Sequence, residues 1–196
     1  MSRKEYLDAK EKALKKLKIA SIEHKIDEKI RPILMLINRI DGYYTSSSCA
    51  GRIVLLQIPR IGDKREALFL GIWHRTISPR EITTASANAT HGLIWLLAQA
   101  PILHIGAQTP QLADTLVKTA VSCGFKNSAF KSSGKKIVIE LSSTERLDAP
   151  IGRDGRLYCG KENLILLTEI ANEVIERSQE KLIRFEKKLI KFVNGL

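Results

Sequence analysis

Residues 44–52 read Y-T-S-S-S-C-A-G-R, a stretch that sets a phenol, four hydroxyls, a thiol, a glycine and a guanidinium side by side. Serine hydroxyls and amides beside a glycine can point at a carboxylate or phosphate. Arg52 can clamp such a group through two parallel hydrogen bonds. Cys49 could attack as a nucleophile, but a thiol needs a base that lowers or accepts its proton. No Cys/His pair is visible in the sequence. An anion cradle or a polar turn therefore accounts for the stretch better than a reactive thiol. Of the four histidines, His24 and His91 lie in polar surroundings. His74 and His104 each close an apolar run that reads as a strand, which makes them candidates for acid–base or hydrogen-bonding roles. No histidine pairs at helical spacing with another or sits in a carboxylate cluster, so no metal centre is expected.

The elements that must carry these residues follow from periodicity and punctuation. Tyr6, Ala13, Leu14 and Leu17 recur at helical spacing through Arg3–Lys18 among lysines and glutamates. A second helix is expected from about Pro32 to Ile40, closed by Asp41-Gly42. I-V-L-L-Q-I-P (53–59) reads as a buried strand, Arg60–Arg65 as a turn and Ala67–His74 as the strand completing a hairpin. Ser78-Pro79 opens a short helix. Leu93–Leu97 and Ile102–Ile105 are strand candidates, with Pro101 between them demanding an edge or a bulge. A capped helix runs from Thr109-Pro110 to Gly124. Ser128–Lys131 and Lys135–Leu141 form a hairpin, Leu147–Cys159 an irregular link, and Glu162–Val193 one long closing helix with near-heptad apolar spacing. Hairpin connections point to an α+β fold with a mostly antiparallel β core. It is expected to form a single domain over 1–196, the first and last helices packing over one core.

Composition narrows the partners. The 196 residues carry a net charge of +11, with lysines and arginines spread along the whole chain. Such a surplus attracts polyanions, chiefly nucleic acid or anionic membrane. A well-solvated surface is the alternative reading of the lysine-rich helices. Three scattered cysteines, none in C-x-x-C, argue against a disulfide framework or structural zinc and suit a reducing compartment. No apolar run reaches the length of a membrane span, so a soluble, cytoplasmic protein is expected. G-x-G-x-x-G and G-x-x-x-x-G-K-[ST] are both absent. His104-Ile105-Gly106-Ala107 has one glycine, too few for a nucleotide-binding turn.

Y-T-S-S-S-C-A-G-R-I (44–53) resembles the signature of the tRNA wybutosine-synthesising protein 3 family. The resemblance continues through the strand ending in His74, P-I-L-H-I (101–105), G-F-K-N-S (124–128), R-L-D-A-P-I (146–151) and the helix holding Ala171-Asn172 and Ile183-Arg184-Phe185. It implies a methyltransferase outside the Rossmann-like class. Such an enzyme uses S-adenosylmethionine to methylate the N4 position of the tricyclic, wyosine-type guanosine at position 37, in the anticodon loop of phenylalanine tRNA. By position, Ser47, Ser48, Cys49, Gly51 and Arg52 carry the first motif and are assigned to the cofactor. Tyr44, Lys126, Asn127 and Ser128 are assigned to the substrate. His74, His104 and Asp148 are the candidate proton acceptors. Relatives carry a Lys and a Glu just before the P-x-L-H segment, where this chain has Leu97 and Gln99. A non-catalytic RNA-binding protein and a Cys49-dependent hydrolase are the competing readings.

Overall fold

Helix starts in this chain follow side-chain chemistry that the sequence displays. Ser2 Oγ accepts the Glu5 N–H at 3.2 Å while the Glu5 carboxylate accepts the Ser2 N–H at 2.8 Å, a reciprocal cap for donors that a helix end leaves open. Thr109 caps the Leu112 N–H ahead of Pro110, and the Glu81 carboxylate accepts the Ser78 N–H at 2.9 Å. In the computed structural model, which describes residues 2–63, 65–134 and 136–194, the elements run α1 (Arg3–Ile22), α2 (Arg31–Arg39), β1 (Tyr43–Cys49), β2 (Arg52–Ile58), β3 (Leu68–Trp73), α3 (Pro79–Ser86), β4 (Leu93–Gln99), β5 (Ile102–Ala107), α4 (Pro110–Ser122), β6 (Ala129–Ser133), β7 (Ile137–Ser142), β8 (Arg146–Arg153), β9 (Arg156–Leu157) and α5 (Lys161–Asn194). Lys64, in the expected turn, and Lys135, the expected first residue of a strand, lie outside the described residues.

The chain divides into two compact units. One holds the residues up to Ala50, Pro101–Thr144 and the chain from Ser178 on; the other holds Gly51–Ala100 and Glu145–Arg177. The first contains a four-stranded sheet in the order β1-β5-β7-β6, every pair antiparallel. Leu103, Ile105, Ile139 and Leu141 line one face of it and are buried with Ile33, Ile37, Leu116, Leu182 and Phe185. Leu17 of α1 packs on this cluster, which the second half of α5 also builds. The Phe125 and Phe185 rings meet at 5.5 Å in a tilted arrangement.

The second unit contains a five-stranded antiparallel sheet, β3-β2-β4-β8-β9. Its core gathers Ile53, Leu55, Ile94, Leu96, Ile82, Ala171 and Ile175. Asn172 of α5 ties the unit together. Its amide donates to the Ile77 C=O at 2.8 Å and accepts the Ile77 N–H at 2.8 Å, satisfying both backbone groups of one residue.

Among the described residues the fold is thus α+β, with antiparallel sheets and five helices, of which the last is long. Two segments differ from expectation. The hydroxyl-rich stretch is strand β1 rather than a bend, because its backbone pairs with β5 from Tyr43 to Cys49. The expected irregular link is strands β8 and β9. The register shift between Ile94 and Trp95 leaves Ile151 as an extra residue on β8, and such a bulge is where a strand tolerates a neighbouring proline, here Pro150. Pro101 stands between β4 and β5, outside either strand. No helix among the described residues is long and apolar enough to cross a membrane.

Candidate active site

His104 lies in the middle of β5, not at its end as expected. Its neighbours Leu103 and Ile105 are core residues, so strand alternation sends His104 to the opposite face. Directly across from it stand Ser47 on β1 and Glu140 on β7. The three side chains form a row. Ser47 Oγ is 2.8 Å from His104 Nδ1, and His104 Nε2 is 2.7 Å from Glu140 Oε2.

Two bulges build this row. The β1–β5 register pairs Thr45 with Ile105 and then Ser47 with His104, leaving Ser46 as the extra residue. Without that insertion Ser46 would oppose His104, and Ser47 would point toward the core. Asn38 of α2 holds the open edge here. Its Oδ1 accepts the Thr45 N–H at 3.0 Å and its amide donates to Thr45 Oγ1 at 2.7 Å. On the far side the β6–β7 register skips Lys131, whose Nζ reaches Glu140 Oε2 at 3.0 Å.

The electrostatics fix the proton positions. The Lys131 ammonium, followed by His104, holds the Glu140 carboxyl below its ordinary value against the opposing effect of burial. Glu140 is therefore an acceptor. His104 Nε2 therefore donates to it, and in a neutral ring the lone pair sits on Nδ1, where the Ser47 hydroxyl can donate. His104 and Glu140 are only 25% and 21% exposed, so competing water is limited. A hydroxyl, an imidazole and a carboxylate in this order can pull a proton through the hydroxyl onto Nδ1, with the carboxylate stabilising the resulting cation. Ser46, Ser47 and Ser48 also line a cavity of about 190 Å³, with Lys16, Lys25 and Asp27 among its other walls. Ser48 Oγ is buried there without a hydrogen-bond partner.

The other expected residues fall as follows. Tyr44 is 4% exposed. Its ring packs 5.7 Å from Tyr6 and covers Gly106, where a Cβ would come within 2.1 Å of the ring. No base can stack on it in this position, and the glycine of H-I-G-A is the seat of a tyrosine. Lys126 and Asn127 are exposed in the turn after α4. Ser128 pins that turn, its hydroxyl donating to the Phe125 C=O at 2.6 Å and accepting the Ser142 N–H at 3.3 Å. Cys49 ends β1 opposite Ile102, and none of the three cysteines is in a disulfide.

Gly51, Arg52, His74 and Asp148 belong to the second unit. Gly51 takes a φ of 92°, which a glycine adopts at no steric cost. Its carbonyl accepts from His74 Nδ1 at 3.0 Å, so a neutral His74 carries its lone pair on Nε2. Arg52 Nε donates to Gln99 Oε1 at 2.9 Å, and the guanidinium lies 5.9 Å over the Phe69 ring. Gln99 thus orients Arg52. Asp148 is ion-paired with Arg146. Glu140 and Lys131 were not among the expected site residues. The available signal was a charged residue on the outer face of an apolar strand, 36 positions from its histidine.

A methyltransferase family accounts for this combination of motif and fold. Residues 8–191 match the family described as Methyltransferase TYW3, and the chain belongs to it. A Pyrococcus horikoshii protein named "tRNA(Phe) 7-((3-amino-3-carboxypropyl)-4-demethylwyosine(37)-N(4))-methyltransferase 1" is 46% identical over 182 residues, covering 92% of this chain and 93% of that protein. A Methanocaldococcus jannaschii protein, named as such a methyltransferase without the final numeral, is 37% identical over 188 residues, covering 94% and 96%. The solved structure of the PH1069 protein from Pyrococcus horikoshii superposes with a TM-score of 0.91 at 45% identity, over 95% of this chain and 96% of that one. A hypothetical protein from Aeropyrum pernix superposes with a TM-score of 0.72 at 28% identity, over 85% and 99%.

Proposed function

We propose that this chain N-methylates the N4 position of the 4-demethylwyosine-type base at position 37, in the anticodon loop of phenylalanine tRNA. The relatives' names carry the substrate class, and the Ser47–His104–Glu140 row carries the chemistry. The accepting nitrogen of a fused ring is a poor nucleophile while it holds its proton. In this reading Ser47 Oγ receives that proton as its own passes to His104 Nδ1, and Glu140 stabilises the imidazolium. Catalysis of this kind contributes about 100- to 10,000-fold. His74 and Asp148, of the second unit, remain the alternative candidates for the proton acceptor in this reading.

The methyl donor in this reading is S-adenosylmethionine, which when bound supplies a methyl group activated by a positively charged sulfur. The residues present fit its amino-acid end. The buried Ser48 Oγ, which has no hydrogen-bond partner, offers a donor to a carboxylate, and Lys16 offers positive charge. At about 190 Å³ this cavity is smaller than the roughly 300–1,000 Å³ of pockets that enclose a whole ligand, so it suits one end of the cofactor. Cys49 and Gly51 complete the motif's path. Arg52, held by Gln99 and Phe69, is assigned to an anionic group of the ligands, and Lys126, Asn127 and Ser128 to the substrate. The enzyme meets its tRNA in the cytoplasm, a reducing compartment that suits cysteines outside any disulfide.

The test is methyl transfer to phenylalanine tRNA by His104→Ala. The expected outcome is a fall in kcat of about 100- to 10,000-fold, with cofactor binding by calorimetry little changed. Wild-type turnover from that variant would remove His104 from the reaction.

A further inference from the structure

The β8–β9 corner of the second unit is built rigidly for a hairpin that the catalytic row does not use. Asp154 and Gly155 take φ values of 50° and 74°, the two positive angles that a type I′ turn requires. The Asp154 N–H donates to the Gly92 C=O at 2.9 Å, and Asp154 Oδ1 accepts the Gly92 N–H at 2.7 Å. A Cβ on Gly155 would stand 2.9 Å from the Ala89 carbonyl oxygen, and one on Gly92 2.3 Å from that of Ile58. The turn is thus locked onto the start of β4.

This corner holds Arg153 between two open grooves, of about 630 and 680 Å³, both of which Leu93 and Arg153 line. The first has an apolar floor that includes Pro150 and Leu167, and Tyr158 at its side. Tyr158 is 73% exposed, although its backbone is fixed by donation to the Ile151 C=O at 2.9 Å. The second adds Arg60 and His91. An exposed aromatic ring and an arginine lining the same groove are the pairing that single-stranded nucleic acid uses, bases stacking on the ring and phosphates meeting the cation. The net charge of +11 favours a polyanion over a protein with a neutral or basic surface.

We propose that this corner is a second RNA contact, taking a single-stranded stretch of the tRNA with a base over Tyr158 and phosphates at Arg153 and Arg60. The inference rests on tRNA being the substrate. Its test is fluorescence anisotropy of labelled phenylalanine tRNA with the full chain, wild type against Tyr158→Ala and Arg153→Gln, over a salt series. Tyr158→Ala should weaken binding about 5- to 150-fold, the equivalent of one stacked base. Arg153→Gln should lower the salt slope by about 0.7, one single-strand phosphate. Both variants should unfold at the wild-type midpoint and keep wild-type kcat at saturating tRNA. If wild type binds and both variants bind equally well with the same slope, the corner is not an RNA contact. If wild type itself fails to bind the tRNA, the substrate reading falls and this inference falls with it.

Discussion

Glu140 sets which nitrogen of His104 can take a proton, and its own ionisation is what makes it able to do so. Its carboxyl is held below the ordinary value first by the hydrogen bond from Lys131 and then by His104. A folded-state value below the unfolded one adds stability above the unfolded value of roughly 4.3, and that stability is lost as pH falls through the folded value. Glu140→Gln should therefore be less stable than wild type at neutral pH, and the gap should close on acidification. Denaturant midpoints of the two proteins at neutral and acidic pH measure this. A gap that stays constant with pH would show that the carboxylate's charge does not matter to the row. Gln99 plays a comparable part for Arg52, fixing the guanidinium over Phe69.

At the scale of elements, the edge strand β1 is placed by the fit of Tyr44 over Gly106. A methyl group at Gly106 would collide with three atoms of the Tyr44 side chain, the nearest at 2.1 Å. Gly106→Ala should cost about 1–3 kcal/mol through overpacking, read from urea unfolding. Adding Tyr44→Leu should recover part of the loss, since the smaller side chain yields the space. Equal stability of Gly106→Ala and wild type would mean that the ring is not seated there. The same region shows what periodicity can convey. Helix starts at Ser78-Pro79 and Thr109-Pro110 were legible because caps are local. Strands β2 and β7 were legible because they bury alternate or continuous apolar residues, and β3 was legible as an apolar run although none of its residues is buried. Strand β1 was not, since its second half is polar and its register turns on a one-residue bulge. Strand β8 was hidden by Pro150 and Gly152, although Asp154-Gly155 is a strong hairpin signal. Ser47 and His104 were both legible as candidates, but Glu140 was not. Long-range pairing leaves no spacing to read, and only the register of β1, β5 and β7 brings the three together.

At the scale of the whole molecule, the stretch from Tyr44 to Arg52 is divided between the two units. Tyr44 to Ala50 belong to one, Gly51 and Arg52 to the other. The first unit contains the hydroxyl, imidazole and carboxylate row, and the second contains Arg52, held by Gln99 and Phe69. The net charge of +11 supplies the general attraction for RNA that the proposed function requires. The most direct measurement is mass spectrometry of nucleosides from phenylalanine tRNA carrying the unmethylated tricyclic base, after incubation with the protein and S-adenosylmethionine. The account predicts the mass gain of one methyl group on that base, located on its N4 nitrogen by fragmentation. An unchanged base, with the tRNA bound and the cofactor present, would contradict it.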